Sequence, residues 1–120
     1  VSLIRHSLSA DYISELNAKI RHFCDLYFLW NDPESRAYLE SAEFKTNFKA
    51  LLSSDQARFK EPEGWSDKKV SDSPLISSFD KVWSELQETY SKELPELAYQ
   101  TIPSPESVAE SFKELSVLLI

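Results

Sequence analysis

Apolar residues recur at spacings of three and four in four stretches of the chain, the pattern of helices that bury one face. In the first, Ile13, Leu16, Ile20, Phe23, Tyr27 and Trp30 share a face. Ser9 stands before it as an N-cap residue, with Leu8 and Ile13 at the positions of a hydrophobic staple and Asp11 in the first turn. The pattern predicts a helix over about residues 10–30. Residues 26–30 are apolar on all sides, so that end is expected to be enclosed.

Asn31-Asp32-Pro33-Glu34 reads as a stop followed at once by a start, with Asp32 as cap and Pro33 at the first helical position. The second helix, about 33–60, carries Phe44, Phe48, Leu51 and Leu52. Tyr38 and Leu39 are out of phase with that stripe, which predicts a break near Glu40-Ser41. Lys60-Glu61-Pro62 should end the segment.

Residues 61–73 hold Pro62, Gly64, Trp65 and several serines, and read as a long irregular connection. The third helix, about 74–93, starts at Ser73-Pro74 and ends before Pro95. Its stripe is Leu75, Ile76, Phe79, Val82, Trp83, Leu86 and Tyr90. A second connection spans about 94–104, in which residues 97–102 read as an extended stretch or a short turn of helix. Ser104-Pro105-Glu106 then starts the fourth helix, about 105–119, with Val108, Phe112, Leu115 and Leu119 on one side.

These elements predict an all-α, four-helix, bundle-like single domain over residues 1–120, with five helices if the second is broken. The single glycine supports this, because hairpin turns and bulges of a sheet protein draw on glycine. Apolar residues at 42% and charged residues at 28% fit a globular domain rather than a disordered chain. No apolar run approaches a membrane span. The start has no signal-peptide pattern, and one cysteine, Cys24, leaves no internal disulfide, so a cytoplasmic location is the default. The chain has no methionine and stops on Leu118-Leu119-Ile120 in mid-pattern, so a piece of a longer protein is an open alternative.

The search for chemistry returns mostly exclusions. One glycine excludes glycine-rich phosphate loops, and neither His-Glu-x-x-His nor Glu-x-x-His occurs. Serines are many, but no Gly-x-Ser-x-Gly elbow holds one. The only histidines are His6 and His22, so no cofactor and no metal site is expected. His22 and Asp25 lie three apart on one helical face, which admits a general-base pair. The plainer reading is a histidine beside a carboxylate, since no nucleophile or further ligand is specified. Cys24 reads as a small core residue. Trp65, in the long connection, is either a plug that holds the loop or an exposed anchor for a partner.

Charge changes the picture more than motifs do. The net charge is −7, yet residues 1–60 hold eight acids against eight bases. The whole excess falls in residues 61–120, with twelve acids and five lysines. On the third helix, Lys81, Glu85, Glu88 and Lys92 balance one another along the outer face. On the fourth, Glu106, Glu110 and Glu114 follow at i, i+4 and i+8, opposed only by Lys113. Such pairs cost only about 0.2–0.5 kcal/mol each, so the stripe is tolerable as plain surface. It is equally a field that would steer a basic partner. Only Lys68-Lys69 are adjacent bases, so direct nucleic-acid binding is disfavoured.

The resulting expectation is a non-catalytic protein-interaction module that binds a basic protein through Glu106, Glu110, Glu114 and Trp65. In general type (small, acidic, helical) it resembles immunity proteins and antitoxins, with a helical subunit of a larger assembly as a further form. The alternative is a helical enzyme with a site around His22 and Asp25. The apolar end at residues 117–120 also admits a homodimer through the C-terminal helix.

Overall fold

The computed structural model describes residues 1–97 and 102–119, the last four residues of the first stretch as backbone only. Within them every regular element is helical. In chain order the α-helices are α1 Ser2–Ser7, α2 Tyr12–Asn17, α3 Ile20–Trp30, α4 Pro33–Leu39, α5 Ala42–Arg58, α6 Pro74–Ser77, α7 Phe79–Leu97 and α8 Pro105–Ser116. Short 3-10 turns lie at Trp65–Asp67, Val70–Asp72 and Val117–Leu119. The all-α class follows as expected, but the four periodic segments are divided into seven helices, α2 to α8, and α1 lies ahead of them.

The division follows local chemistry where caps are present. Asp32 accepts the Ser35 N–H at 3.0 Å, Ser41 accepts that of Phe44 at 3.2 Å, Ser73 that of Leu75 at 3.1 Å and Ser104 that of Ser107 at 3.2 Å. Each supplies an acceptor for a helix N–H that lacks an intrahelical partner. The break near Glu40-Ser41 therefore has a physical cause: Ser41 leaves helical geometry at ψ 157° and caps α5.

The single helix expected over residues 10–30 is replaced by α2 and α3, and α1 precedes them. Ser9 is not the cap; Asp11 holds that position, and Ser9 Oγ accepts only the Asp11 N–H, at 3.3 Å. The chain turns again at Lys19, whose N–H reaches back to the Leu16 carbonyl at 3.0 Å. Neither glycine nor proline marks this turn. It serves packing, because Leu16 on one side and Ile20 on the other are both buried. α7 runs on through Pro95 to Leu97 rather than stopping before the proline. Residues 98–101, most of the stretch read as extended or a short turn, lie outside the described residues.

α3, α7 and α8 pack mutually and form the centre, with α2 laid against α7 and α1 against α2 and α6. A run of aromatic rings joins the three central helices. Phe23 of α3 lies 5.3 Å from Trp83 of α7 and 5.5 Å from Phe112 of α8, centroid to centroid. Phe79 stacks on Phe112 at 4.6 Å with 15° between the planes. Tilted and offset rings at these separations add about 0.5–1.5 kcal/mol per pair beyond simple burial. The apolar face read for the third segment is confirmed at Leu75, Phe79, Val82, Trp83, Leu86 and Tyr90, all buried. Cys24 lies in the same core, as expected, and burial pushes its thiol pKa up.

The pair α4–α5 stands apart from this centre. Neither helix has a buried residue, although α5 is 17 residues long. α5 packs chiefly on α4 and on the turn at Trp65–Asp67. Its aromatic residues instead continue along the pair itself, from Tyr38 to Phe44 at 5.7 Å and on to Phe48 at 5.8 Å. The pair is an outlying arm, joined to the body at its two ends and through Leu52 of α5, which is partly buried against the core.

Candidate functional site

Two surface features lie on different sides of α8. One carries the acidic residues. Glu106 and Glu110 are exposed and stand, with Gln87 and Lys113, around a recess of about 290 Å³ between α7 and α8. Trp83 and Ala109 also line the recess and are its apolar members. Lys113, which the sequence sets against the acidic stripe, is paired with Asp80 of α7 at 2.5 Å. The one base of α8 is thus held by an acid of another helix. Elsewhere on the outer face of α7, Glu88 and Lys92 form the expected pair at 2.7 Å, which lowers the carboxyl pKa and raises that of the amine.

Glu114 has a different task. Its Oε2 accepts the indole N–H of Trp30 at 2.7 Å. Trp30 is only 3% exposed, and the Arg36 guanidinium lies over its ring at 4.3 Å from the centroid. Beside it, Asn31 Nδ2 donates to the Tyr27 carbonyl at 2.8 Å and to Ser111 Oγ at 3.1 Å. Glu114 therefore belongs to the corner where α3, α4 and α8 meet. Equal spacing along α8 gave it the same weight as Glu106 and Glu110, and the structure separates it from them.

Trp65 is a plug, not an exposed anchor. It is 2% exposed, and its Nε1 donates to the Phe59 carbonyl at 2.9 Å. Gly64 at φ 82° makes the turn that directs it inward, a left-handed conformation that suits glycine. The guanidinium of Arg5 covers the Phe59 ring at 4.3 Å and donates to the Glu61 carbonyl at 3.1 Å. Loop, arm and α1 are thereby tied at one point. A docking role for Trp65 fails because the side chain is already enclosed.

The second feature is a groove of about 420 Å³ between the arm and the body. Leu39, Phe44, Phe48 and Leu51 line it from the arm. Leu26 and Leu29 of α3 and Leu115 of α8 line it from the body. The periodicity of α5 identified its apolar face correctly, but that face borders open space instead of core. Leu29 and Leu51 remain 47% and 52% exposed, which is high for leucine in a helix of a small domain.

His22 and Asp25 are exposed and share the lining of this groove. Their common face was legible from spacing, and the groove was not. Among the described residues no three His, Cys, Asp or Glu side chains gather in a way that would hold a metal ion. At the C-terminal end, Val117 is 65% exposed, Leu119 lines the groove, and Ile120 lies outside the described residues. No described helix is long and apolar enough to cross a membrane. No family model, no curated protein and no solved structure matches the chain.

Proposed function

We propose that this chain is a non-catalytic protein-interaction module that takes a basic partner on the outer face of α8. The observation that carries the reading is the recess between α7 and α8. Glu106 and Glu110 stand exposed on its rim, while the neighbouring Lys113 is engaged by Asp80. An arginine or lysine side chain laid there meets two carboxylates, with the apolar faces of Trp83 and Ala109 beside its methylenes. The net charge of −7 adds a long-range field of the right sign to draw such a partner in.

In its finer form the module escorts or neutralises a basic protein in the cytoplasm, in the manner of an immunity protein or antitoxin. Exposed Val117 extends the proposal to self-association through the C-terminal segment, which sedimentation measures directly.

The test compares proteins captured at low salt by the wild type, by Glu106→Lys/Glu110→Lys, and by Glu61→Lys/Glu63→Lys. Both variants change net charge equally, and all four positions are exposed. The expected result is a captured set rich in basic proteins that is lost only with the α8 variant. Capture without basic enrichment, or equal loss in both variants, overturns the proposal.

A further inference from the structure

Lys113 has acids on two sides, and the one it pairs with sets the charge of the acidic recess. It lines the recess between α7 and α8 together with Glu106 and Glu110. It also lines a second recess, of about 450 Å³, together with Ser78, Asp80 and Ser116. The ammonium is held on the side of the second, where Nζ lies 2.5 Å from Asp80 Oδ1. Among the described residues neither Glu106 nor Glu110 takes part in an ion pair.

Helical geometry by itself favours a different pairing. Glu110 stands three positions before Lys113 on α8, and a Glu–Lys pair at that spacing is attractive. Cα–Cβ bonds tilt toward the helix N-terminus, so the Lys113 side chain sets out toward Glu110. Asp80, from α7, draws it the other way. The Lys113 and Asp80 side chains are 51% and 84% exposed, so their bond is weak and reversible. Without it, the ammonium comes within reach of Glu110 and competes there with an incoming cation.

We propose that Asp80 is a positioning residue of the acidic recess: it holds Lys113 away from Glu110 and keeps that carboxylate free for a partner's cation. The inference rests on the reading of the recess as a docking site, but the placement of Lys113 is measurable without a partner. Asp80 acts through Lys113, not through its own share of the net charge.

Two measurements test this. In the first, NMR follows the side-chain carboxyl carbon of Glu110 in the free protein. Asp80→Asn should shift that signal, and the same substitution in the Lys113→Gln background should leave it in place. Asp80→Glu should keep it at the wild-type position. In the second, an acetylated, amidated tetra-arginine peptide is titrated at physiological salt. Asp80→Asn should weaken its binding about two- to fivefold. Glu61→Gln, an equal change of charge at another exposed position, should have a smaller effect. Adding Lys113→Gln to Asp80→Asn should recover the wild-type affinity. A Glu110 signal that ignores Asp80→Asn, or that moves equally with and without Lys113, overturns the proposal. So does a double variant that binds the peptide as weakly as Asp80→Asn alone. Expected NMR shifts in a protein that does not bind the peptide uphold the placement of Lys113 and count against the docking reading alone.

Discussion

The indole N–H of Trp30 and the carboxylate of Glu114, 84 residues apart, meet at 2.7 Å. This bond decides between two uses of one acidic side chain. Hydrogen bonds to charged groups contribute about 1.5–3 kcal/mol, more than a surface acid contributes by being acidic. Glu114→Ala should therefore lower unfolding free energy by about 1.5–3 kcal/mol. Glu106→Ala and Glu110→Ala should stay within about 0.5 kcal/mol of the wild type. Urea titrations of the three variants measure this, and equal effects at the three positions would contradict it.

Ser7 and Ser73 form a buried polar junction. Their hydroxyl oxygens are 2.5 Å apart, and both residues are buried. Ser7 Oγ donates to the Ile4 carbonyl at 2.6 Å, so the shared proton comes from Ser73, which also accepts the Leu75 N–H at 3.1 Å. Removing Ser73 deprives α6 of its cap and leaves Ser7 without its donor. Ser73→Ala is expected to cost about 1–3 kcal/mol, seen as a lower denaturation midpoint with an unchanged m-value. A neutral effect would mean that α1 and α6 are not held by this pair.

Acid should loosen the tie between α1 and the arm. His6 Nε2 lies 3.2 Å from Arg5 Nη2; guanidinium only donates, so the imidazole accepts there and is neutral. Its Nδ1 faces Glu15 of α2 at 3.5 Å. Burial, joined by Lys19 and Arg5 and opposed by Glu15, lowers the His6 pKa below 6.5. The unfolded chain then binds a proton at a higher pH than the folded one. The His6 contribution is complete above about pH 6.5 and is lost as pH falls through the lower folded value. Glu15, whose pKa is lowered by Ser9 and His6, adds its own loss only below 4.5. Unfolding free energy should thus decline from pH 7.5 to pH 5, and His6→Gln should flatten the decline. An unchanged slope in that variant would remove His6 as the cause.

The arm should open without the body. A 17-residue helix with no buried residue gains little from tertiary packing, the main source of helix stability in proteins. Native-state hydrogen exchange should show α5 amides opening well below the global free energy of about 5–15 kcal/mol, with α3 and α8 near it. Matching protection across α5 and α3 would show one cooperative unit instead.

The parts of this fold that the sequence made legible are those set within four residues. Asp32, Ser73 and Ser104 act as caps because a side-chain oxygen and a nearby N–H are enough to do so. The stripe from Leu75 to Tyr90 was readable because its face has a core to meet. The turn at Lys19 was not, since it arises from the need to bury Leu16 and Ile20 on differently directed helices. Periodicity also marks Phe44, Phe48 and Leu51 as a face without saying what faces them. For the site, spacing paired His22 with Asp25 and aligned three glutamates. Only three dimensions show that Trp30 takes one of those glutamates, and that His22 and Asp25 border a groove.

The three tryptophans have separate surroundings. Trp30 lies at the acid-bonded corner, Trp65 under the return loop and Trp83 among the central rings, each at most 5% exposed. Shielded indoles emit at shorter wavelength than hydrated ones. The chain therefore carries three built-in optical reporters. Replacing two at a time would let fluorescence follow the corner, the loop anchor or the core alone.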